Sequence, residues 1–93
     1  MADPIIQSVE DFRCPRGALF AERRNRGYTL YDAVSGAPVA RLRPTGRDDR
    51  FEVLFWSLWK ERWAPTGPFG RTVLSVDEAL RFIAQEDIFW VMT

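Results

Sequence analysis

The chain has no histidine and a single cysteine, Cys14. Without histidine, neither a Ser-His-Asp site nor a Cys-His site can form, and the most common general base and metal ligand is missing. One cysteine can make neither an intramolecular disulfide nor a cysteine-ligated zinc site. These absences predict a protein that is not an enzyme and that binds no cofactor or metal.

Two other sequence features are candidates for a phosphate-binding or catalytic site, and neither fits. The glycines at positions 67 and 70 are not followed by the Gly-Lys-Ser/Thr ending of a phosphate-binding loop, and the prolines near them lack the amides that such a loop uses. The adjacent carboxylates Asp48-Asp49 and Glu86-Asp87 are typical of a solvated loop and a helix end. Neither pair predicts a catalytic site.

No apolar run approaches the roughly 20 residues that a membrane span needs. Residues 1–13 carry acidic side chains where a secretory signal would have a basic region followed by an apolar one. The sequence therefore predicts a soluble, cytoplasmic protein without a membrane partner.

The 93 residues are expected to form one domain, 1–93, with residues 1–16 as a candidate for a loosely attached N-terminal segment. Thirteen basic residues balance thirteen acidic ones, so no whole-molecule field attracts nucleic acid or a membrane. Residues 13–50 are locally basic, with nine arginines against four acidic residues. This bias indicates either recognition of phosphate or carboxylate, or only the arginine preference of a GC-rich coding sequence.

Two stretches predict helices. Apolar residues at helical spacing follow Pro4, which suits a first helical position, and predict a short helix from Pro4 to Phe12. Ser75 and Glu78 form a capping box ahead of an apolar stripe, and they predict a helix over 76–86. The apolar tail at 88–92 is expected either to return as an edge strand or to tuck under this helix.

Between the helices, short runs of strand-forming residues alternate with turn signals, as is typical of antiparallel hairpins. Asn25-Arg26-Gly27 predicts a tight turn in which Gly27 takes a positive φ. Ser35-Gly36 marks a second turn ahead of an alternating strand at 38–43. The prolines and glycines of 65–70 are incompatible with regular structure and are expected to close the sheet.

The run Phe51–Ala64 holds three of the four tryptophans and is expected at the centre of the fold. Its apolar residues fit both a helix and a pair of strands. A helix would be apolar nearly all round, which a small chain cannot bury easily, so we favour two strands that reverse near Trp59 and Lys60. The alternation predicts one sheet face with Phe51, Val53 and Phe55, and another with Leu54 and Trp56.

Together these elements predict an α+β domain with a four- to five-stranded antiparallel meander, one C-terminal helix packed on one face, and a short N-terminal helix. Over roughly residues 18–90 the chain reads GYTLYDAVSGAPVARLRP, then FEVLFWS and RWAP, then DIFW. These motifs resemble those of small bacterial proteins of unknown function in which an antiparallel β-meander is followed by a C-terminal helix. This resemblance implies a fold and no activity.

In element order alone, four strands and a helix, the chain is also similar to single-strand-binding transcriptional coactivators, and such a likeness assigns no site.

The expected function is non-enzymatic binding or protein interaction. One helix covers only one sheet face, which leaves surplus tryptophans for an interface with another protein or a second copy of the chain. The alternative is single-stranded nucleic-acid binding, in which the arginines form one basic edge beside an exposed Tyr28, Tyr31, Phe55 or Trp56. Such binding weakens steeply with salt, whereas an apolar interface does not.

A third interpretation is that the aromatics face the helix and the arginines solvate the hairpins. The candidate surface residues are Arg23, Arg24, Arg26, Arg41, Arg43, Arg50, Trp56, Trp59 and Trp63.

Overall fold

The computed structural model describes residues 3–66 and 72–90. Helix α1 spans Pro4–Asp11, and α2 spans Val76–Gln85. The strands are β1 (Leu19–Arg24), β2 (Gly27–Asp32), β3 (Pro38–Pro44), β4 (Phe51–Ser57), β5 (Arg62–Pro65) and β6 (Val73–Leu74). A short 3₁₀ helix covers Asp87–Trp90. Helices and an antiparallel sheet in one chain confirm the predicted α+β class.

Strands β1 to β5 pair antiparallel with their sequence neighbours, which confirms the predicted meander. β6 pairs with the start of β4, where Leu74 lies opposite Phe51. The expectation that residues 65–70 close the sheet is therefore wrong, because a further short strand follows them. Residues 67–71 themselves lie outside the described ranges. β4 pairs with β3 on one side and with β5 and β6 on the other, so β3 is the middle strand and β4 lies next to the edge that β5 and β6 form.

The turn between β1 and β2 differs from the prediction. Arg24 pairs with Gly27, so the loop consists of Asn25 and Arg26, with φ values of 47° and 63°. Two positive φ values are what a two-residue type I′ turn requires. Gly27 is instead the first residue of β2. The prediction that it takes the positive φ is wrong, because the turn lies one residue before the position that the glycine suggests.

Strands β4 and β5 confirm the strand pair predicted for Phe51–Ala64. Trp56 lies opposite Trp63, and the chain reverses over 58–61, where Glu61 adopts a φ of 52°. The side chains of β4 contribute alternately to the core, as a strand requires. The helical alternative for this run is therefore excluded.

Both helices begin at side-chain caps. The hydroxyl of Ser75 accepts a hydrogen bond from the amide of Glu78, and the Glu78 carboxylate accepts one from the amide of Ser75, which confirms the predicted capping box. In α1, the Asp3 carboxylate accepts hydrogen bonds from the amide of Ile5 and from the hydroxyl of Tyr28, at 2.9 and 2.8 Å. The second bond ties the start of α1 to β2.

The tail beyond α2 packs into the core. Phe89 and Trp90 are buried, and the indole N–H of Trp90 donates to the carbonyl of Ile83 at 2.8 Å. Arg16 donates to the carbonyl of Ala84, and its guanidinium lies 5.5 Å from the centre of the Trp90 ring. The tucked alternative is confirmed for Phe89 and Trp90, whereas Ile88 is 43% exposed, and the rest of the predicted tail lies outside the described residues.

Alternation along the strands gives the sheet two unlike faces. The core face packs against both helices and the 3₁₀ helix, and it carries Leu19, Ala21, Tyr28, Leu30, Ala40, Leu42, Phe51, Val53 and Phe55. We call the opposite side the open face, which carries Phe20, Thr29, Tyr31, Arg41, Arg43, Glu52, Leu54, Trp56 and Trp63. The two faces of β4 are those that the alternation predicted.

Candidate binding groove on the open face

A groove of about 440 Å³ lies on the open face, between the β1–β2 hairpin and the aromatic end of β4 and β5. Ligand sites usually measure roughly 300–1,000 Å³, so the groove can hold a small molecule or one unit of a longer ligand. Its lining residues are Arg24, Asn25, Thr29, Tyr31, Pro38, Arg41, Trp56 and Trp63.

Strand register assembles this groove. Arg41 of β3 lies opposite Thr29 of β2, and Trp56 of β4 lies opposite Trp63 of β5. Because side chains alternate between sheet faces, all four project from the same side. Between Leu30 and Tyr31 the register shifts by one residue and leaves Val39 of β3 without a partner on β2, and such bulges often occur next to binding sites.

Arg41 forms the floor of the groove and is only 9% exposed. Its Nη1 donates to Oγ1 of Thr29 at 3.0 Å, and its Nη2 donates to the carbonyl oxygens of Arg24 at 2.8 Å and Asn25 at 3.0 Å. These three bonds hold the hairpin turn against β3. Burial, and then the nearby charge of Arg43, lowers the pKa of the Arg41 guanidinium.

The charge of Arg41 has no acidic counterpart in the described part of the chain. Over residues 3–66 and 72–90, the ion pairs within 4.0 Å involve Arg16, Arg23 and Arg43 instead. A buried charge is normally paired or hydrogen-bonded to an opposite charge, because removing it from water is costly. Among the described residues, therefore, no ion pair neutralises the charge at the floor of the groove.

Arg24 supplies a second positive charge at the rim. A hydrogen bond to the hydroxyl of Tyr31 raises the pKa of Arg24, and the charge of Glu22 adds to the effect. Glu22 projects from the same face of β1 but does not line the groove. The guanidinium of Arg24 is exposed, so a ligand can reach it from solvent.

Aromatic rings form the apolar walls. The rings of Trp56 and Trp63 meet edge to face, with 5.4 Å between their centroids. Phe20 stacks on Tyr31 at 5.0 Å between centroids. Tyr31, Trp56 and Trp63 are half-buried, so part of each ring remains accessible to a flat ligand group.

Four of the nine candidate residues line the groove, namely Arg24, Arg41, Trp56 and Trp63. Arg43 projects from the same face, but the Glu52 carboxylate neutralises it at 2.7 Å. Trp59 lies beyond the groove in the β4–β5 turn, where it is 93% exposed.

The other three candidate arginines lie elsewhere. Arg23 is on the opposite face of β1, where its Nη1 lies 4.0 Å from a carboxylate oxygen of Asp3. Arg26 is in the hairpin turn, and Arg50 donates to the carbonyl of Asp49 in the β3–β4 loop. The six candidate arginines therefore do not form one basic edge.

Of the four aromatics that the nucleic-acid hypothesis required beside the arginines, Tyr31 and Trp56 lie on the open face. Tyr28 and Phe55 belong to the core face. Sequence reasoning did not assign Asn25, Thr29 or Pro38 to a binding surface, because the sequence indicates only a turn at Asn25 and no motif surrounds the other two. Thr29 is identified by its position opposite Arg41, Pro38 by its position opposite Tyr31, and Asn25 by the hydrogen bond that its carbonyl accepts from Arg41.

Within the described ranges, no three Cys, Asp or Glu side chains are grouped so that they could hold a metal ion. None of the helices there is both long enough and apolar enough to cross a membrane. Comparison of the chain with protein-family models, with curated proteins and with solved structures found no match in any of the three.

Proposed function

We propose that the protein is a non-enzymatic binding module whose ligand or partner occupies the open face and places an anionic group near Arg41. One observation supports this proposal above all. Arg41 is only 9% exposed, yet no carboxylate of the described residues pairs with its guanidinium within 4.0 Å. Hydrogen bonds to neutral oxygens offset only part of the cost of burying a charge, and a bound anion would supply the rest.

The division of the sheet supports the open face as the binding surface. On the core face, Leu30 and Leu42 are fully buried beneath the helical elements. On the open face, Trp56 and Trp63 keep accessible ring surface beside two arginines. Tryptophan, tyrosine and arginine are the residues that contribute most often to binding energy at interfaces.

A protein partner or a second copy of the chain is the first candidate for the occupant. Leu58 and Trp59, which are 58% and 93% exposed, lie in the turn that joins the strands of Trp56 and Trp63. In an interface, these two exposed apolar side chains would form the hydrophobic centre, and the arginines of the groove would form the charged contact beside it.

Single-stranded nucleic acid is the second candidate, because Arg24 and Arg41 lie beside Tyr31, Trp56 and Trp63 on one face. Bases stack on such rings while arginines contact phosphates. The cationic surface is short, however, since the remaining candidate arginines are either paired or off this face. It suits one or two phosphates rather than a long strand.

The four tryptophans provide native probes for a test. Trp56 and Trp63 report on the groove, Trp59 on the turn, and Trp90 on the core. Indole N–H signals would be followed by NMR during a titration with inorganic phosphate, against sodium chloride at equal ionic strength, and during dilution of the protein.

If the open face binds anions, phosphate shifts the signals of Trp56 and Trp63 more than chloride does and leaves Trp90 in place. If a second copy covers the face, dilution shifts Trp59 together with the groove pair. A phosphate series indistinguishable from the chloride series would refute the anion site.

A further inference from the structure

We propose that the groove is a subsite for one nucleotide-like group: a phosphate monoester held by Arg24 and Arg41, joined to a flat aromatic ring that packs against Trp56 and Trp63. This inference rests on the proposed function and names the chemistry of the occupant of the same site. The group is either a free mononucleotide or the 5′-phosphorylated terminal nucleotide of a single strand.

Charge matching favours a phosphate monoester over a carboxylate. Neither Arg24 nor Arg41 forms an ion pair within 4.0 Å in the described part of the chain. A phosphate monoester carries about −1.5 to −2 at neutral pH, whereas a carboxylate carries a single charge. Two guanidinium groups therefore balance one phosphate monoester.

Arg41 has donors left for such a group. The three hydrogen bonds to Thr29 and to the turn carbonyls use three of the five N–H groups of its guanidinium. Arg24 at the rim is exposed, so it can donate to the same oxygens beside or in place of its hydrogen bond to Tyr31. Planar guanidinium groups fit phosphate oxygens well, and such charge-assisted bonds are among the stronger ones.

The walls of the groove fit a flat ring. Trp56 and Trp63 present half-buried indole surface on one side, and Tyr31 and Pro38 line the rest of the groove. A ring that stacks on an indole gains affinity whichever base it is, because every base has a flat π-face. The site is therefore expected to select for an aromatic ring and only weakly for its identity.

The surroundings limit the site to about one nucleotide. Beyond Arg41 on the open face, the charge of Arg43 is neutralised by Glu52 at 2.7 Å. Glu22 projects from β1 on the same side. A second phosphate bound next to the first would meet a neutral pair or a carboxylate, so the groove itself holds one nucleotide, and a gain from added nucleotides would require contacts outside it.

A calorimetric titration of the full chain at constant ionic strength tests the inference with four probes. These are thymidine 5′-monophosphate, thymidine, deoxyribose 5-phosphate and a short oligothymidylate that carries a 5′-phosphate. We expect the monophosphate to bind at least about 5-fold more tightly than deoxyribose 5-phosphate, the lower end of the roughly 5- to 150-fold that one stacked base contributes. It should also bind more tightly than thymidine.

The oligonucleotide distinguishes the two sources. Equal affinity for monophosphate and oligonucleotide identifies a free nucleotide, and a higher affinity for the oligonucleotide identifies a strand. Equal affinity for the monophosphate and deoxyribose 5-phosphate would overturn the ring contact, and equal affinity for the monophosphate and thymidine would overturn the phosphate contact. If neither nucleotide probe binds, the inference fails, while a shift of the groove indoles by phosphate would leave the open-face proposal standing.

Two matched substitutions test the placement of the ring. Trp63→Leu removes a groove wall, whereas Trp59→Leu removes an exposed tryptophan outside the groove. Trp63→Leu should weaken the monophosphate at least about 5-fold and leave deoxyribose 5-phosphate unchanged. Trp59→Leu should change neither. Equal effects of the two substitutions would overturn the placement, and if Trp63→Leu does not fold, the four-probe titration of the unaltered chain decides.

Discussion

The guanidinium of Arg41 packs against Gly27, in the position that a side chain at residue 27 would occupy. A Cβ atom on Gly27 would lie 2.8 Å from Nη2 of Arg41 and 3.0 Å from the carbonyl oxygen of Leu42. Side chains essentially never approach so closely, so the glycine is required by this contact and not by its own φ. The absence of a side chain at the start of β2 lets Arg41 reach the turn carbonyls that it holds.

Gly27→Ala should therefore lower the free energy of unfolding by roughly 1–3 kcal/mol, because the new methyl group displaces a guanidinium that makes three hydrogen bonds. Urea denaturation measures the change. In an Arg41→Met background the cost should shrink, since the displaced group is gone. An unchanged cost in that background would show that the Leu42 carbonyl, and not Arg41, is what the methyl group meets.

Arg26→Gly should stabilise the protein by roughly 0.5–1 kcal/mol. Arg26 has a φ of 63° in the type I′ turn, a conformation that costs an ordinary L-residue about 1–2 kcal/mol and costs glycine little, although glycine loses more entropy on folding. Thermal or urea unfolding measures the gain. Arg26→Ala removes the same charge but keeps a Cβ, so it should bring no gain. A similar gain from both would assign the effect to charge.

The Arg43–Glu52 pair predicts an asymmetric response. The Glu52 side chain is 2% exposed and that of Arg43 is 55% exposed, so removing the arginine leaves a buried carboxylate without its partner. Arg43→Met should cost roughly 1–3 kcal/mol of unfolding free energy, less than for a fully buried pair because half of Arg43 is in water. Adding Glu52→Gln should recover part of this loss. If Arg43→Met left the free energy of unfolding unchanged, that result would contradict the account.

The Asp3–Tyr28 hydrogen bond predicts how stability depends on pH. Burial raises the pKa of Asp3, but hydrogen bonds from Tyr28 and from the amides of Ile5 and Ile6, with the charge of Arg23, outweigh it and leave the pKa below its ordinary 3.8. Because the folded state binds this proton less tightly, the stabilisation is complete above pH 3.8 and is lost as the pH falls through the lowered value.

Tyr28 acts at the alkaline end. Burial, and then the hydrogen bond to Asp3, raises the pKa of Tyr28 above its ordinary 10.0. Its stabilisation is therefore complete below pH 10.0 and is lost as the pH rises through the raised value. Urea midpoints across the pH range should show both losses. Asp3→Asn should reduce the loss of stability at acid pH. Asp11→Asn, which replaces an exposed carboxylate of α1, should leave that loss unchanged.

Features coded by neighbouring residues were predictable from the sequence. The capping box of Ser75 and Glu78 places both partners within one helical turn, so their bonds need nothing from the rest of the fold. The strand over Phe51–Ser57 was also predictable from its alternation, because a helix over this run would be apolar nearly all round and a small chain could not bury it. The helices, the meander and the two faces of β4 followed from such local patterns.

The groove depends on register between strands, which single residues do not show. Arg41 meets Thr29 twelve positions away, and the side on which Arg23 or Arg24 projects depends on a turn that lies one residue from where the glycine suggests. Grouping all the arginines into one edge failed for this reason. The pairing of Arg43 with the buried Glu52 likewise appears only once β3 and β4 are aligned.

The central claim, that anions bind on the open face, is tested most directly by comparing Arg24→Gln with Arg23→Gln. The two arginines are exposed neighbours on β1, and each substitution removes one positive charge. The two side chains project from opposite faces of the sheet, so only Arg24→Gln removes a charge from the open face. Phosphate affinity would be read from the indole signal of Trp63 at about 0.15 M ionic strength, where charges farther than about 8 Å are largely screened. The account predicts that Arg24→Gln weakens phosphate binding roughly 2- to 5-fold, as expected for an exposed ion pair, and that Arg23→Gln leaves it unchanged. Equal weakening by both, or a larger effect of Arg23→Gln, would contradict it.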